Sequence, residues 1–195
     1  VFMPLGELTP DSRFRNGKSF SFLQPRIDVK ENKLYYAINH DTTLFIRNLP
    51  DGEIIDSYTI PFDKFILNEG REMGWAAVQR GGPPIDKAGG ILSALHTGDF
   101  EVVTYRSGLK LSEMAEYDRT SPDYYKLLNK ADYKKYLILK NGQRMNTELK
   151  LNPKVSSLDW VDDEGVFYAT QNIQALETEP EFYTFYKLKI VPDEN

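Results

Sequence analysis

Short runs of alternating apolar and polar residues dominate this chain, and they predict β-strands. Successive side chains of a strand point to opposite faces, and many of these runs carry the aromatic and β-branched residues that pleated sheets favour. Four runs follow one another in the first third of the chain, at 26–29, 33–38, 43–47 and 54–60. Turn residues such as Glu31-Asn32 and Pro50-Asp51-Gly52 separate them. This order predicts an antiparallel four-stranded meander.

The C-terminal half carries a second set of strand signals. Asn141-Gly142, a dipeptide typical of a tight hairpin turn, lies between apolar runs at 135–139 and 147–151. Further strands are expected at 155–161, at 166–170 and at 182–190. Between Ser107 and Tyr133, a helical insertion is predicted near 112–131, because Ser121 and Pro122 are typical of an N-cap and a first helical residue.

A weak internal repeat links these units. Aromatic strands that follow a polar turn begin at Leu34, Phe100 and Val166, so both gaps are 66 residues (100 − 34 and 166 − 100). Repeated four-stranded meanders are typical of a β-propeller. The sequence therefore predicts an all-β fold of antiparallel four-stranded meander blades. About three blades cannot close a ring, so a partial ring is expected, the C-terminal half of a propeller of about six blades.

The predicted blades belong to one propeller-like domain, 1–195, with units at roughly 20–64, 65–152 and 153–195. The third unit lacks a recognisable fourth strand. An ordinary β-sandwich is the alternative fold, since it too is built from short strands and turns. The chain does not begin with Met, and its first residues lack the basic start and apolar core of a signal peptide. We therefore expect upstream sequence to have been removed.

A family resemblance rests on three features of the sequence: the paired turns and aromatic strands at 28–36 and 163–168, the strand pair around Asn141-Gly142, and the Tyr186-Lys187-Leu188-Lys189 ending. They resemble the six-bladed, TolB-like β-propeller proteins of bacterial envelopes, many of them predicted lipoproteins of unknown function. The resemblance implies a cell-envelope location, periplasmic or as a surface-exposed lipoprotein, and a binding role. It supplies no catalytic residues.

Composition narrows the functional classes. The 195 residues carry 24 Lys+Arg and 29 Asp+Glu, a net charge of −5, and the basic residues are scattered. No basic stripe suits nucleic acid, and no apolar run is long enough to span a membrane. The absence of cysteine excludes disulfides and thiolate metal sites. Neither a cofactor nor a metal is predicted.

The sequence offers few catalytic candidates. His40 and His96 have acidic neighbours, but their places at strand ends favour structural roles, and we expect them at opposite edges of their sheets, too far apart to share a ligand. Asp99 and Glu101 are expected on one face of a strand, where paired carboxylates serve glycoside hydrolysis. No phosphate-binding loop or serine-nucleophile motif is present in the sequence. No catalytic residue is therefore assigned.

Aromatic residues are the strongest functional signal. Flat rings stack on the apolar faces of sugars, and Trp75, Tyr105 and Trp160 are the predicted ligand-binding residues. Trp75 lies in a long predicted loop at 65–90, and long loops in compact folds are often functional. The predicted function is a non-enzymatic binding or scaffold module that recognises a protein or glycan through its loops. The alternative is a carbohydrate-active hydrolase or lyase. Exposed blade edges predict a homodimer.

Overall fold

The computed structural model describes residues 8–20, 22–72, 74, 76, 80, 85–145, 149, 151–176, 178 and 182–190. Within these residues the chain forms three antiparallel sheets, each from one contiguous stretch, together with a few short helices. The predicted all-β class is confirmed.

The first sheet is the meander that the sequence predicts. Its strands are β1 (Pro25–Lys30), β2 (Lys33–Ile38), β3 (Thr43–Asn48) and β4 (Ile54–Thr59), hydrogen-bonded in that order. Glu31 and Asn32 join β1 to β2 with φ values of 47° and 62°. Two successive left-handed residues match the right-handed twist of the strands they connect.

The second sheet has the order β5 (Gly90–His96), β6 (Glu101–Arg106), β7 (Lys135–Lys140), β8 (Gln143–Arg144). The Asn141-Gly142 hairpin is confirmed, and its described second strand is β8 at Gln143–Arg144, nearer to the turn than the predicted run at 147–151. A two-residue turn pairs the residues that flank it directly, here Lys140 with Gln143, so β8 begins at once. Residues 146–148 and 150 lie outside the described residues.

The predicted helical insertion between β6 and β7 consists of two helices, α1 (Leu111–Ala115) and α2 (Pro122–Asp132). The Ser121 hydroxyl accepts a hydrogen bond from the Tyr124 backbone N–H at 3.2 Å, which confirms the predicted N-cap. Pro122 occupies the first turn, where its missing N–H costs nothing.

The third sheet contains β9 (Val155–Val161), β10 (Phe167–Gln171) and β11 (Phe185–Leu188), in the order β11-β10-β9. The first two match the prediction closely, whereas β11 is shorter than the predicted 182–190. Among the described residues this sheet has no fourth strand, in agreement with the sequence pattern.

The 66-residue recurrence falls on the second strand of each sheet, but residues 66 positions apart do not point to the same side of their sheets. Tyr35 in β2 faces the second sheet, whereas Glu101, 66 residues later, pairs with His96 on the face of β6 that meets the first sheet. A shift of one residue moves every side chain of a strand to the other face.

The first strands of the three sheets lie side by side and run in the same direction. Near the start of β1, Arg26 Nε donates to the carbonyl oxygen of Ile91 at 3.2 Å. Further along, Asp28 Oδ2 accepts from the His96 backbone N–H at 2.7 Å. At the end of β1, Lys30 Nζ donates to the carbonyl oxygen of Val161, the last residue of β9, at 3.1 Å.

Two hydrophobic cores separate the sheets. The core between the first and second sheets includes Leu44, Ile91 and Val103, and the core between the second and third includes Val102 and Phe167. The second sheet is therefore the middle layer, and neighbouring residues of β6 are buried in different cores. A strand covered on both faces is apolar throughout and does not alternate.

Parallel first strands place all the long connections at one end of the sheets. The connections 60–89, 107–134, 145–154 and 172–184 leave and rejoin the strands at this edge in their described parts, and we call this edge the loop end. Tight turns at 31–32, 49–53, 97–100, 141–142 and 162–166 join them at the opposite edge, the turn end. Binding residues are found disproportionately on loops that a rigid scaffold positions, so the loop end is where a ligand site is expected.

Candidate functional site

A cleft of about 690 Å³ opens at the loop end between the second and third sheets. One wall comes from the second sheet and the segment leading into it, and includes Arg106, Tyr133 and Lys134. The other comes from the third sheet and includes Ser156 and Gln171. The volume lies in the range of about 300–1,000 Å³ that is typical of small-molecule sites.

The fold fixes the first wall. Arg106 is the last residue of β6, and α2 ends at Asp132, just before Tyr133 and Lys134 lead into β7. Asp132 pairs with Lys87 Nζ at 2.6 Å, which ties the end of α2 to the segment before β5. The cationic side chains of this wall therefore come from fixed elements.

A network of backbone and amide hydrogen bonds fixes the second wall. The Asn152 carbonyl oxygen accepts from the Val155 backbone N–H at 2.8 Å, closing the turn that precedes β9. Asn172, just after β10, donates its backbone N–H to the Lys154 carbonyl oxygen at 2.7 Å and its side-chain Nδ2 to the Pro153 carbonyl oxygen at 3.0 Å. These bonds hold the starts and ends of two strands together, so the wall is preformed.

Two cations give the cleft a local positive charge in an acidic protein. Lys134 Nζ donates to the Ser156 carbonyl oxygen across the cleft. Burial lowers the pKa of Lys134, the nearby Arg106 lowers it further, and Asp159 opposes the change. Among the described residues no carboxylate forms an ion pair with either cation. The exposed Arg106 and the half-buried Lys134 together favour an anionic group.

Uncharged groups complete the cleft. The buried Oε1 of Gln171 has no hydrogen-bond partner among the described residues, so it can accept from a ligand. The ring of Tyr133 is 55% exposed. Burial raises the pKa of the neighbouring Tyr136 to about 12, which keeps that phenol neutral. The cleft thus combines cations, an amide acceptor and an aromatic surface.

The sequence-predicted ligand residues do not meet at this cleft. Tyr105 is only 1% exposed and packs against Phe62, with ring centroids 4.6 Å apart, although it also contributes to the wall of a neighbouring cavity of about 380 Å³. Trp160 is exposed on the outer face of the third sheet, where it stacks on Tyr168 with ring centroids 4.5 Å apart. Trp75 lies outside the described residues.

The two histidines lie at opposite ends of β5, as expected. At the loop end, His40 Nδ1 donates to the Gly89 carbonyl oxygen at 2.8 Å, and burial lowers the pKa of His40. At the turn end, His96 stacks on Tyr35 with ring centroids 3.8 Å apart. Within the described part of the chain, no three His, Cys, Asp or Glu side chains are grouped as metal ligands.

The expectation that Asp99 and Glu101 share a strand face is wrong. Asp99 is exposed in the turn before β6, which the Thr97 backbone N–H closes by donating to the Phe100 carbonyl oxygen at 2.9 Å. Glu101 is the first residue of β6, is 6% exposed and lies 3.2 Å from His96 Nδ1. One carboxyl faces solvent and the other lies between two sheets.

Sequence reasoning missed the cleft because its residues form no motif. They come from four separate segments, and only the fold brings Arg106 and Lys134 towards the third sheet. The stretch Gln171-Asn172-Ile173-Gln174 at the end of a strand was the one available signal, since three amide side chains among four residues favour a loop with ligand-binding groups.

External comparisons leave the site to be interpreted from its own geometry. In the described part of the chain, no helix is both long and apolar enough to cross a membrane. Comparison of the sequence and the fold with protein-family models, curated proteins and solved structures found no significant match to any of the three.

Proposed function

We propose that this chain is a non-enzymatic binding module, built as part of a β-propeller, which holds its ligand in the loop-end cleft. The cleft carries the proposal: a preformed wall of turns faces two cations that have no carboxylate partner among the described residues. Three meanders stacked face to face about parallel first strands support the propeller arrangement. The envelope location remains a prediction.

Of the two predicted ligand classes, a glycan is favoured over a protein. Amide side chains such as Asn172 and Gln171 match the donor and acceptor pattern of sugar hydroxyls. The half-exposed ring of Tyr133 offers a flat apolar surface to one face of a sugar. A concave site of this size suits a few sugar rings better than the broad surface of a folded partner.

The test is binding of the purified chain to an array of neutral and acidic bacterial oligosaccharides. Tyr133→Ala is expected to weaken binding at least tenfold, because it removes the aromatic surface of the cleft. Tyr125→Ala is the matched control: Tyr125 lies on α2, away from the cleft, and is 57% exposed against 55% for Tyr133. If the chain binds none of the oligosaccharides, or if both variants lose the same amount of affinity, the proposal is contradicted.

Recovery of the bound oligosaccharide distinguishes binding from catalysis. The non-enzymatic proposal predicts that mass spectrometry finds it at its original length after prolonged incubation. Shortened or unsaturated products would instead favour the hydrolase or lyase alternative.

We also propose that two copies cover each other's exposed sheet faces. The first sheet has one face that no other described sheet covers, and Ile27 and Val29 are exposed on it. The third sheet has an uncovered outer face, turned away from the second sheet, on which Trp160 and Phe185 are exposed. In a twofold pair, the first sheet of each copy can pack on the third sheet of the other, repeating the contacts already made within the chain. Light scattering after size exclusion should give a dimer mass; a monomer would contradict this pairing.

A further inference from the structure

We propose that the ligand of the loop-end cleft is an acidic sugar, whose carboxylate binds between Arg106 and Lys134. This inference rests on the proposed glycan-binding function and adds the chemical class of the ligand. It is argued from the charges of the cleft, from its unpaired acceptor and from the lack of a built phosphate site.

The two cations of the cleft favour the binding of one anionic group. Arg106 presents a planar guanidinium fork that matches a carboxylate, and Lys134 presents a compact ammonium on the same wall. Asp132, the carboxylate of that wall, is already paired with Lys87 at 2.6 Å. An arriving carboxylate would therefore meet two cations that form no ion pair with a carboxylate among the described residues.

The remaining groups require a ligand that also donates hydrogen bonds. Gln171 Oε1 is buried and has no hydrogen-bond partner in the part of the chain that the structure describes, and a bare anion such as sulfate has no hydrogen with which to satisfy it. Sugar hydroxyls donate as well as accept, so an acidic sugar satisfies the cations and the amide together. Tyr133 is placed to cover an apolar face of the ring.

A phosphate ligand fits the cleft less well. Phosphate sites use a helix N-terminus or a row of backbone N–H groups around the anion. The helix that reaches this cleft does so with its C-terminal end, at Asp132, where the helix dipole is negative. A single carboxylate, with less charge to neutralise, suits two cations beside such a helix end.

The experiment compares oligogalacturonate with the same oligosaccharide after its carboxyl groups have been reduced to alcohols. Calorimetric titration of the full chain should show at least tenfold weaker binding of the reduced form. Arg106→Gln and Lys134→Gln should each weaken oligogalacturonate binding at least tenfold. Lys140→Gln, at the turn end of the same strand that Lys134 precedes, is the matched control and should bind normally.

The outcomes separate this inference from the function on which it rests. Equal binding of the native and reduced oligosaccharides would overturn the carboxylate assignment and leave a glycan-binding module. Failure of every neutral and acidic oligosaccharide to bind would overturn both. Displacement of oligogalacturonate by millimolar inorganic phosphate, with no binding of the reduced form, would reassign the site to phosphate. Because Lys134 also bonds to Ser156, the Arg106 variant decides the matter if the Lys134 variant loses its fold.

Discussion

Val102 and Val103 provide a direct test of the middle position of the second sheet. These neighbours on β6 are both 0% exposed, yet Val102 belongs to the core shared with the third sheet and Val103 to the core shared with the first. Each valine→alanine substitution removes two buried methyl groups. At about 0.8 kcal/mol for each carbon, plus the cavity left behind, the expected loss is about 2 kcal/mol of unfolding free energy.

Urea unfolding measures this loss. With a denaturant slope of about 2.5 kcal/mol per molar for a domain of this size, about 2 kcal/mol lowers the unfolding midpoint by about 0.8 M. Ile85→Ala is the control, because Ile85 is 48% exposed and lies outside the strands, in the segment before β5. Its midpoint should fall by no more than about 0.2 M, in keeping with the small effect of surface substitutions.

The comparison can refute the reasoning. If either Val102→Ala or Val103→Ala behaves like Ile85→Ala, one face of β6 is open to solvent and the stacked-sheet account is wrong. Two similar losses, each far larger than the control, are the result that three layers predict.

Three further predictions follow from local features. Oligogalacturonate affinity should be full at neutral pH and should fall as pH rises through the lowered pKa of Lys134, because an anion binds the protonated amine. Titration across pH measures this, and an affinity that stays constant up to pH 11 would exclude a role for this amine. Gly108→Ala should prevent stable folding, since its Cβ would lie 2.3 Å from the Lys87 carbonyl oxygen. Gly98→Ala is the control: Gly98 also has a positive φ, but a Cβ there would have no neighbour within 4 Å, so thermal unfolding should show a loss of only about 1 kcal/mol. Ser121→Ala should cost about 1 kcal/mol by loss of the helix cap, and an unchanged melting temperature would contradict the cap.

Local signals made much of the first sheet predictable. Its strands alternate, and its turns carry residues such as Asn32 and Gly52 that accept positive φ. The helix cap at Ser121 was predictable for the same reason, since the signal and the bond that it forms lie three residues apart. In each case the residues that determine the local structure lie within a few positions of one another in the sequence.

Strand β5 shows where such reasoning ends. Its run, Gly90–His96, follows Gly89 and does not alternate, because parts of it are buried in both cores. A short apolar run of this kind cannot be told from a piece of helix by periodicity alone. The same tertiary burial explains Tyr105, whose aromatic ring fills a core.

The candidate site could not be found from sequence for a related reason. Arg106 and Lys134 are separated by 28 residues that contain two helices, and Gln171 lies on another sheet. Their chemistry depends on which side chains lie near them in space, and among the described residues no carboxylate pairs with either cation, which no spacing in the chain records. Trp160, in contrast, is conspicuous in sequence, yet it lies on the outer face of the third sheet and away from the cleft.

Hydrogen–deuterium exchange of the chain with and without oligogalacturonate tests the central claim most directly, because it locates the bound ligand on the fold. The account predicts slower exchange at the loop end, in the segments 132–136, 152–156 and 171–173, and unchanged exchange in the turns at 97–100 and 162–166. Slower exchange confined to the turn end or to the outer face of the third sheet, with the loop-end segments unchanged, would contradict it.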